Sequence, residues 1–178
     1  MLLHYDEFTS PIGRILFASN DDAVCTLDFE GFEKRMHTLL ENRFGAYEFQ
    51  KGSDPLDLNR RLRRYFDGDM HAFDATAVRT AGSAFQEMVW KGLRAIPAGQ
   101  TETYGELAAR LGRPSAARAV GHANSLNPVA IIVPCHRVIG ASAALTGYAG
   151  GLERKRWLLN HERASLQYTA QFHVSASA

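Results

Sequence analysis

The sequence predicts an α+β protein with a small N-terminal α/β domain, residues 1–79, and a mainly helical C-terminal domain, residues 80–163. Near the start of the chain, apolar residues alternate or run continuously in short segments, as they do in strands. In the second half they recur every three or four residues, as they do in helices. The charge changes at the same boundary: residues 1–78 carry 9 basic and 14 acidic residues, and residues 79–178 carry 11 and 5. The basic half is either a solvated face or the half that meets a polyanion.

Three strand-like segments open the chain and predict an antiparallel meander. They are LLHYDEF, RILFAS and AVCTLDF, and the breakers SPIG and NDD separate them. Apolar spacing in FEKRMHTLLENRF predicts an amphipathic helix, and PLDLNRRLRRYFDG predicts a second one closed by Gly68. The segment AYEFQ, between these helices, is a candidate for one more short strand.

The C-terminal half predicts a helix over SAFQEMVWKGLRAIPAG and then two short helices. The first short helix begins at Thr103, which forms a capping-box pattern with Glu106, and ends near Gly112. The second, PSAARAVGHANSL, consists largely of small residues, and the pair is a candidate helix-turn-helix. The second short helix is either a tightly packed core helix or a thin helix that approaches a DNA groove and projects Arg118. Residues 164–178 are expected to form a flexible tail.

The composition excludes several classes of protein. The chain has 178 residues, 46% of them hydrophobic, and its apolar runs are far shorter than the ~20 residues that span a bilayer. The first ten residues lack the basic and apolar regions of a secretory signal. Two cysteines, Cys25 and Cys135, are too few for a disulfide framework, so we expect a cytoplasmic protein. Cys25 and the histidines of the N-terminal half have no tight ligand spacing, so we expect no metal.

The segment NPVAIIVPCHRVIG contains the candidate chemistry. A strand-like run, Val129–Val133, is predicted to stop at Pro134, and Cys135 and His136 follow. Cys135 is either an inert core residue or a nucleophile for which an imidazole takes the proton. Because neighbouring residues of a strand point to opposite faces, Cys135 and His136 would need a local bend or a water molecule between them. Glu162 is the candidate carboxylate that orients the imidazole.

Five segments together resemble the O6-alkylguanine-DNA alkyltransferases, also called methylated-DNA–protein-cysteine methyltransferases. They are NPVAIIVPCHRVIG, ARAVGHAN, TETYGELA, TGYAGG and RKRWLLNHE, in family order across residues 80–163. The stand-alone bacterial type is the most similar. The resemblance implies a ribonuclease-H-like N-terminal domain and a winged-helix-like C-terminal domain. It also implies a monomer without a cofactor that binds double-stranded DNA in the minor groove, flips out the damaged guanine and transfers its alkyl group irreversibly to Cys135.

The resemblance also implies a role for individual residues. His136 would be the water-relayed base, Glu162 would orient it, and Asn127 would tie the strand to the preceding helix. Tyr104 would assist base rotation and donate a hydrogen bond to the leaving guanine, and Arg118 would fill the gap in the base stack. Other residues expected to face DNA are Ser115, Ala117, Gly121 and His122. The expected lining of the alkylguanine pocket is Val138, Tyr148, Ala149 and Lys155.

Two positions depart from the family pattern, and two other functions compete. His122 stands where Gly or Ala is usual, and Ala143 stands where a loop Gly is common. A non-catalytic helix-turn-helix sensor of alkylated DNA is the first alternative, but such sensors lack the cysteine that this chain has at Cys135. A cytosolic thiol hydrolase is the second alternative, and the basic helix-turn-helix half argues against it.

Overall fold

A computed structural model describes residues 1–141 and 145–175 as a mixed α+β fold. The strands are β1 (Leu2–Ser10), β2 (Gly13–Ser19), β3 (Val24–Phe29), β4 (Glu48–Lys51), β5 (Glu102–Thr103) and β6 (Val138–Ile139). The helices are α1 (Glu33–Phe44), α2 (Leu58–Phe66), α3 (Ala84–Arg94), α4 (Tyr104–Arg110), α5 (Ala117–Ser125) and α6 (Leu152–Ser175). Cys135–Arg137 form one turn of 3-10 helix. The expectation about Ala143 and the end of the expected tail, 176–178, lie outside the described residues.

The N-terminal sheet has the strand order β3-β2-β1-β4. The antiparallel meander is confirmed, since β1 pairs with β2 and β2 pairs with β3 in antiparallel register. The predicted strand in AYEFQ is confirmed as β4, which begins within this segment, ends at Lys51 and pairs with β1 in parallel. Parallel neighbours need a crossover connection, and α1 lies within the segment that joins the meander to β4.

Side chains of the meander alternate between two hydrophobic clusters, one on each face of the sheet. Ile15 and Phe17 of β2 belong to the large cluster that continues into the C-terminal half. Leu16 and Ala18 point the other way and belong to a smaller cluster with α1. Cys25 is fully buried in this smaller cluster, so it is a core residue.

The two halves of the chain meet along β3. The backbone N–H of Leu27 donates to the carbonyl of Pro128 at 2.9 Å, and the N–H of Ala130 donates to the carbonyl of Leu27 at 2.9 Å. The Thr26 hydroxyl also donates to the Pro128 carbonyl, at 3.1 Å. The sheet of the N-terminal half therefore directly supports the segment that leads to Cys135.

That leading segment is not the strand that the sequence analysis predicted. Val129 forms a single bridge with Leu27, and the chain then turns, with the N–H of Val133 donating to the Val129 carbonyl at 2.9 Å. Ile131 within the turn has a φ of 67°, which is strained for a β-branched residue. The strand prediction for Val129–Val133 was wrong. All five residues are apolar because they are buried, although the segment does not pair as a strand.

The helical predictions for the C-terminal half are confirmed. The Thr103 hydroxyl accepts from the backbone N–H of Glu106, and the Glu106 side chain accepts from the N–H of Thr103. Gly112 follows α4 with a φ of 70°, a conformation that favours glycine. The indole N–H of Trp90 in α3 donates to the carbonyl of Ala123 in α5 at 2.9 Å, which fixes the helix-turn-helix on α3.

The last helix, α6, continues through Ser175. Residues 164–175 are therefore helical, and the flexibility expected of the tail stays a prediction. Neither Gly nor Pro occurs between Leu152 and Ser175, so no residue in this stretch is a strong helix breaker. Among the described residues, no helix has both the length and the apolar character that crossing a membrane requires.

Candidate active site

Cys135 begins the 3-10 turn directly after Pro134, and 5% of its surface is exposed. Its backbone N–H donates to the Val133 carbonyl at 2.8 Å. The Asn127 side chain braces the same turn, since its Nδ2 donates to the Val133 carbonyl at 2.8 Å and its Oδ1 accepts from the Val129 N–H at 3.0 Å. Asn127 therefore fixes the backbone that carries the thiol.

The environment of Cys135 favours a protonated thiol. Burial raises its pKa, and the side chain of Asn127 and the positive charges of Arg35 and Lys155 oppose that rise only in part. Because the thiolate is the reactive form of cysteine, chemistry at this sulfur requires a base that removes the proton.

His136 and Glu162 form a fully buried pair, with His136 Nε2 2.8 Å from Glu162 Oε1. Burial opposes ionisation of Glu162, but His136 and Arg137 outweigh it and hold the pKa of the carboxyl well below its usual range. Burial lowers the pKa of His136, although Glu162 opposes this. A carboxylate can only accept hydrogen bonds, so a neutral His136 donates through Nε2 and carries its lone pair on Nδ1. Within the described residues, Nδ1 has no hydrogen-bond partner.

Glu162 accepts hydrogen bonds from three further groups. Arg137 donates through Nη2 at 2.9 Å and through Nε at 3.0 Å. The Tyr65 hydroxyl donates at 2.9 Å and the backbone N–H of Gly99 at 3.0 Å. Arg137 and Tyr65 could not be identified from the sequence, because only the fold reveals how many donors a buried carboxylate receives.

Tyr104, the first residue of α4, contacts both α5 and the loop that follows residue 144. Its ring packs on Gly121 of α5, where an added Cβ would stand 3.6 Å from the ring. Its hydroxyl donates to the Thr146 carbonyl at 3.5 Å, a long hydrogen bond. Burial raises the pKa of Tyr104, so the phenol is protonated and able to donate at neutral pH.

Asn124, a residue that the sequence analysis missed, also contacts the thiol segment. It is buried at the end of α5, and its Nδ2 donates to the Cys135 carbonyl at 3.5 Å. Its Oδ1 is buried without a hydrogen-bond partner among the described residues. No sequence signal identified it, since an asparagine near a helix end is usually a capping residue.

Lys155 ties the loop to the strand after the cysteine. Its ammonium group is buried and donates to the Val138 carbonyl at 2.6 Å and the Thr146 carbonyl at 2.8 Å. Burial lowers the pKa of Lys155 to about 8. The Tyr148 ring meets His136 edge-on, with centroids 6.5 Å apart, and Ala149 follows it in the chain, half-buried.

One face of α5 packs inward and the other is exposed. Val120 and Ala123 are buried, whereas Arg118 and His122 are exposed, as is Ser115 in the preceding turn. The smaller residues Ala117 and Gly121 are half-buried. The side chain of Arg118 forms neither a hydrogen bond nor an ion pair with any other described residue. The core interpretation therefore holds for the buried face of this helix, and an approach of the exposed face to DNA stays a prediction.

The fold and the site define a class of protein: an α+β chain that holds a thiol, an imidazole and a carboxylate beside an exposed helix-turn-helix. A family model described as 6-O-methylguanine DNA methyltransferase, DNA binding domain, matches residues 84–164. A methylated-DNA–protein-cysteine methyltransferase of Salmonella typhimurium is 45% identical over 88% of this chain and 94% of its own. The chain belongs to the methylated-DNA–protein-cysteine methyltransferase family, which confirms the resemblance drawn from the sequence.

Two further relatives agree. The methylated-DNA–protein-cysteine methyltransferase of Methanosarcina acetivorans is 44% identical over 90% of this chain and 98% of its own. A crystal structure of Mycobacterium tuberculosis OGT in complex with DNA superposes with a TM-score of 0.78 and 42% identity, covering 91% of this chain and 94% of that one. The family match therefore extends over both halves of the chain.

Proposed function

We propose that this protein repairs DNA directly, by transferring the alkyl group of O6-alkylguanine to Cys135 in a single turnover. The observation that carries the proposal is the buried thiol of Cys135, which stands in the same 3-10 turn as His136 of the His136–Glu162 pair. The relatives of this chain are named methylated-DNA–protein-cysteine methyltransferases. A sensor without catalysis would have no use for a thiol held in this way.

The chemistry balances with the groups present. His136 takes the thiol proton on Nδ1 through a water molecule, and the sulfur attacks the alkyl carbon. The new S–C bond forms as the C–O6 bond breaks, and the electron pair leaves with guanine. Tyr104 donates to that developing charge, which is the kind of stabilisation that a fixed O–H group supplies. The thioether at Cys135 is stable, so each molecule acts once.

Access to O6 requires the nucleotide to leave the duplex, at a cost of a few kcal/mol. We assign the minor-groove contact to the exposed face of α5, where small residues allow close approach. Arg118, whose guanidinium has no partner among the described residues, would occupy the gap left in the stack. Ser115, Ala117, Gly121 and His122 would face the DNA backbone and groove.

The everted base would lie against Val138, Tyr148 and Ala149. Lys155 supports this proposal because it holds the Val138 and Thr146 carbonyls together. O4-alkylthymine is a second candidate substrate, since it also presents an alkyl group on an exocyclic oxygen. The minor groove encodes little sequence information, which suits repair at any guanine.

We extend the proposal to the domains, the assembly and the location. The order β3-β2-β1-β4 with one parallel strand supports a ribonuclease-H-like N-terminal domain over 1–79. The small β5–β6 pair beside the helix-turn-helix supports a winged-helix-like domain over 80–163. Both cysteines are free, and transfer to a thiol needs a reducing compartment, which supports a cytoplasmic protein. We propose that it acts as a monomer without a cofactor.

Intact mass after incubation with DNA containing O6-methylguanine tests the function. The protein should gain one methylene per molecule, and peptide mapping should locate it on Cys135. Cys135→Ser should bind the same DNA and gain no mass. Cys25→Ser is the matched control, since Cys25 lies in the other hydrophobic cluster, and it should react as the wild type does. An unchanged wild-type mass with intact binding would favour the sensor.

A further inference from the structure

Tyr65 gives the N-terminal half a direct contact with the carboxylate beside His136. It lies in α2, its side chain is buried, and its hydroxyl donates to Oε1 of Glu162 at 2.9 Å. His136 bonds to the same oxygen atom at 2.8 Å. The phenol and the imidazole therefore share one acceptor, although they come from opposite halves of the chain.

We propose that Tyr65 is a positioning residue that sets the proton affinity and the orientation of His136 through Glu162. This inference deepens the proposed function and rests on it. Among the described residues, Tyr65 is the one donor to Glu162 that belongs to the N-terminal half. It gives that half a part in the reaction without contact to the substrate.

Tyr65 and His136 compete for the negative charge on one oxygen of Glu162. A hydrogen bond donated to a carboxylate oxygen draws electron density toward the donor and so weakens the attraction of that oxygen for a second proton. Tyr65 therefore lowers the pull of Glu162 on the His136 proton. Burial and the charge of Glu162 keep the pKa of Tyr65 well above its usual range, so the phenol remains a donor at every working pH.

Other charged or titratable groups also surround this pair. Those near His136 and Glu162 are Arg137, Lys155, Cys135 and Tyr148. His161 of α6 lies against Tyr65, with its Nε2 2.8 Å from the Tyr65 carbonyl and the ring centroids 5.4 Å apart. A substitution that removes only the Tyr65 hydroxyl leaves all of these groups in place.

Tyr65→Phe is that substitution. Phe66, Phe73 and His161 contact the ring and would hold a phenylalanine in the same position. In DNA-free protein, NMR of the imidazole should show the His136 pKa raised by roughly half a unit to one unit, the smaller end of what a neighbouring charge produces. The acid limb of the methyl-transfer rate should move to higher pH by the same amount. On that limb, transfer should slow about three- to tenfold.

Thr26→Val is the matched control. It removes another buried hydrogen bond between the halves, to the Pro128 carbonyl, and does not touch Glu162. The His136 pKa should then equal that of the wild type. An equal rise in both variants would overturn the proposal, because it would reflect general loosening between the halves.

A fluorinated tyrosine at position 65 tests the same idea in the opposite direction. Its more acidic phenol is a stronger donor, so the His136 pKa should fall below the wild-type value. A rise of the His136 pKa with the fluorinated tyrosine would overturn the positioning role. An unchanged His136 pKa in either variant at Tyr65 would overturn it too. If the wild-type protein took up no methyl group on Cys135, the proposed function would be refuted. If the wild-type protein took up the methyl group but the His136 pKa of Tyr65→Phe equalled that of the wild type, only the role of Tyr65 would be refuted.

Discussion

Replacing Glu162 by glutamine removes the charge from a side chain that is completely buried and accepts from four different residues. The shape is kept, but the guanidinium of Arg137, 11% exposed, loses its buried anion. One side-chain oxygen is also replaced by an NH2 group, which cannot accept from a donor such as the Gly99 N–H. Removing one partner of a buried ion pair costs about 3–5 kcal/mol, so we expect a loss of that size.

The assay is urea denaturation near neutral pH, with the free energy of unfolding taken from the midpoint and slope. Glu102→Gln is the matched control, because Glu102 pairs with Arg110 at 2.9 Å on the surface, with side chains 25% and 38% exposed. Exposed pairs contribute about 0–1 kcal/mol. If both variants lost the same small amount, the reasoning that burial makes the Glu162 network strong would be refuted.

Two further predictions concern a second ion pair and acidity. Arg35→Met should lower the free energy of unfolding by roughly 3 kcal/mol, because it leaves Asp28, 2% exposed, without its cation and removes the donor to two backbone carbonyls. Arg60→Met is the control: it breaks an exposed ion pair and should change the free energy of unfolding very little in the same urea assay. The pKa of His136 is lowered in the folded protein, so below about pH 6.5 the unfolded chain binds a proton at this residue more readily than the folded protein does. The free energy of unfolding should therefore fall as the pH decreases from neutral. His136→Gln should flatten that decline, and an equally steep decline in this variant would contradict the assignment.

Local signals in the sequence predicted the helices well because their causes are local. Thr103 and Glu106 satisfy each other's backbone donors within one turn, and Gly112 takes a conformation that few other residues adopt. The strand prediction for Val129–Val133 was wrong for the opposite reason. An apolar run reports burial, and burial alone does not distinguish a strand from a buried turn.

The candidate site shows the same division. Cys135, His136 and Glu162 could be singled out because their residue types suggest a nucleophile, a base and an orienting acid, and the family motifs fixed their spacing. Tyr65 and Arg137 could not, since a tyrosine or an arginine is unremarkable until the chain places it against a buried carboxylate. Tyr65 and Arg137 precede Glu162 by 97 and 25 positions in the chain, so only the fold brings them into contact with it.

By itself, the sequence determined the α+β class, the helix-turn-helix and the family, and it singled out Cys135 as the candidate thiol, because periodicity, capping residues and motifs are local properties of the chain. Only the tertiary structure decided that the edge of β3 supports the turn before Cys135, and that Glu162 collects donors from both halves. Hydrogen bonds between distant segments require a particular packing of the whole chain. They also set which tautomer His136 adopts, and with it whether the imidazole can act as a base.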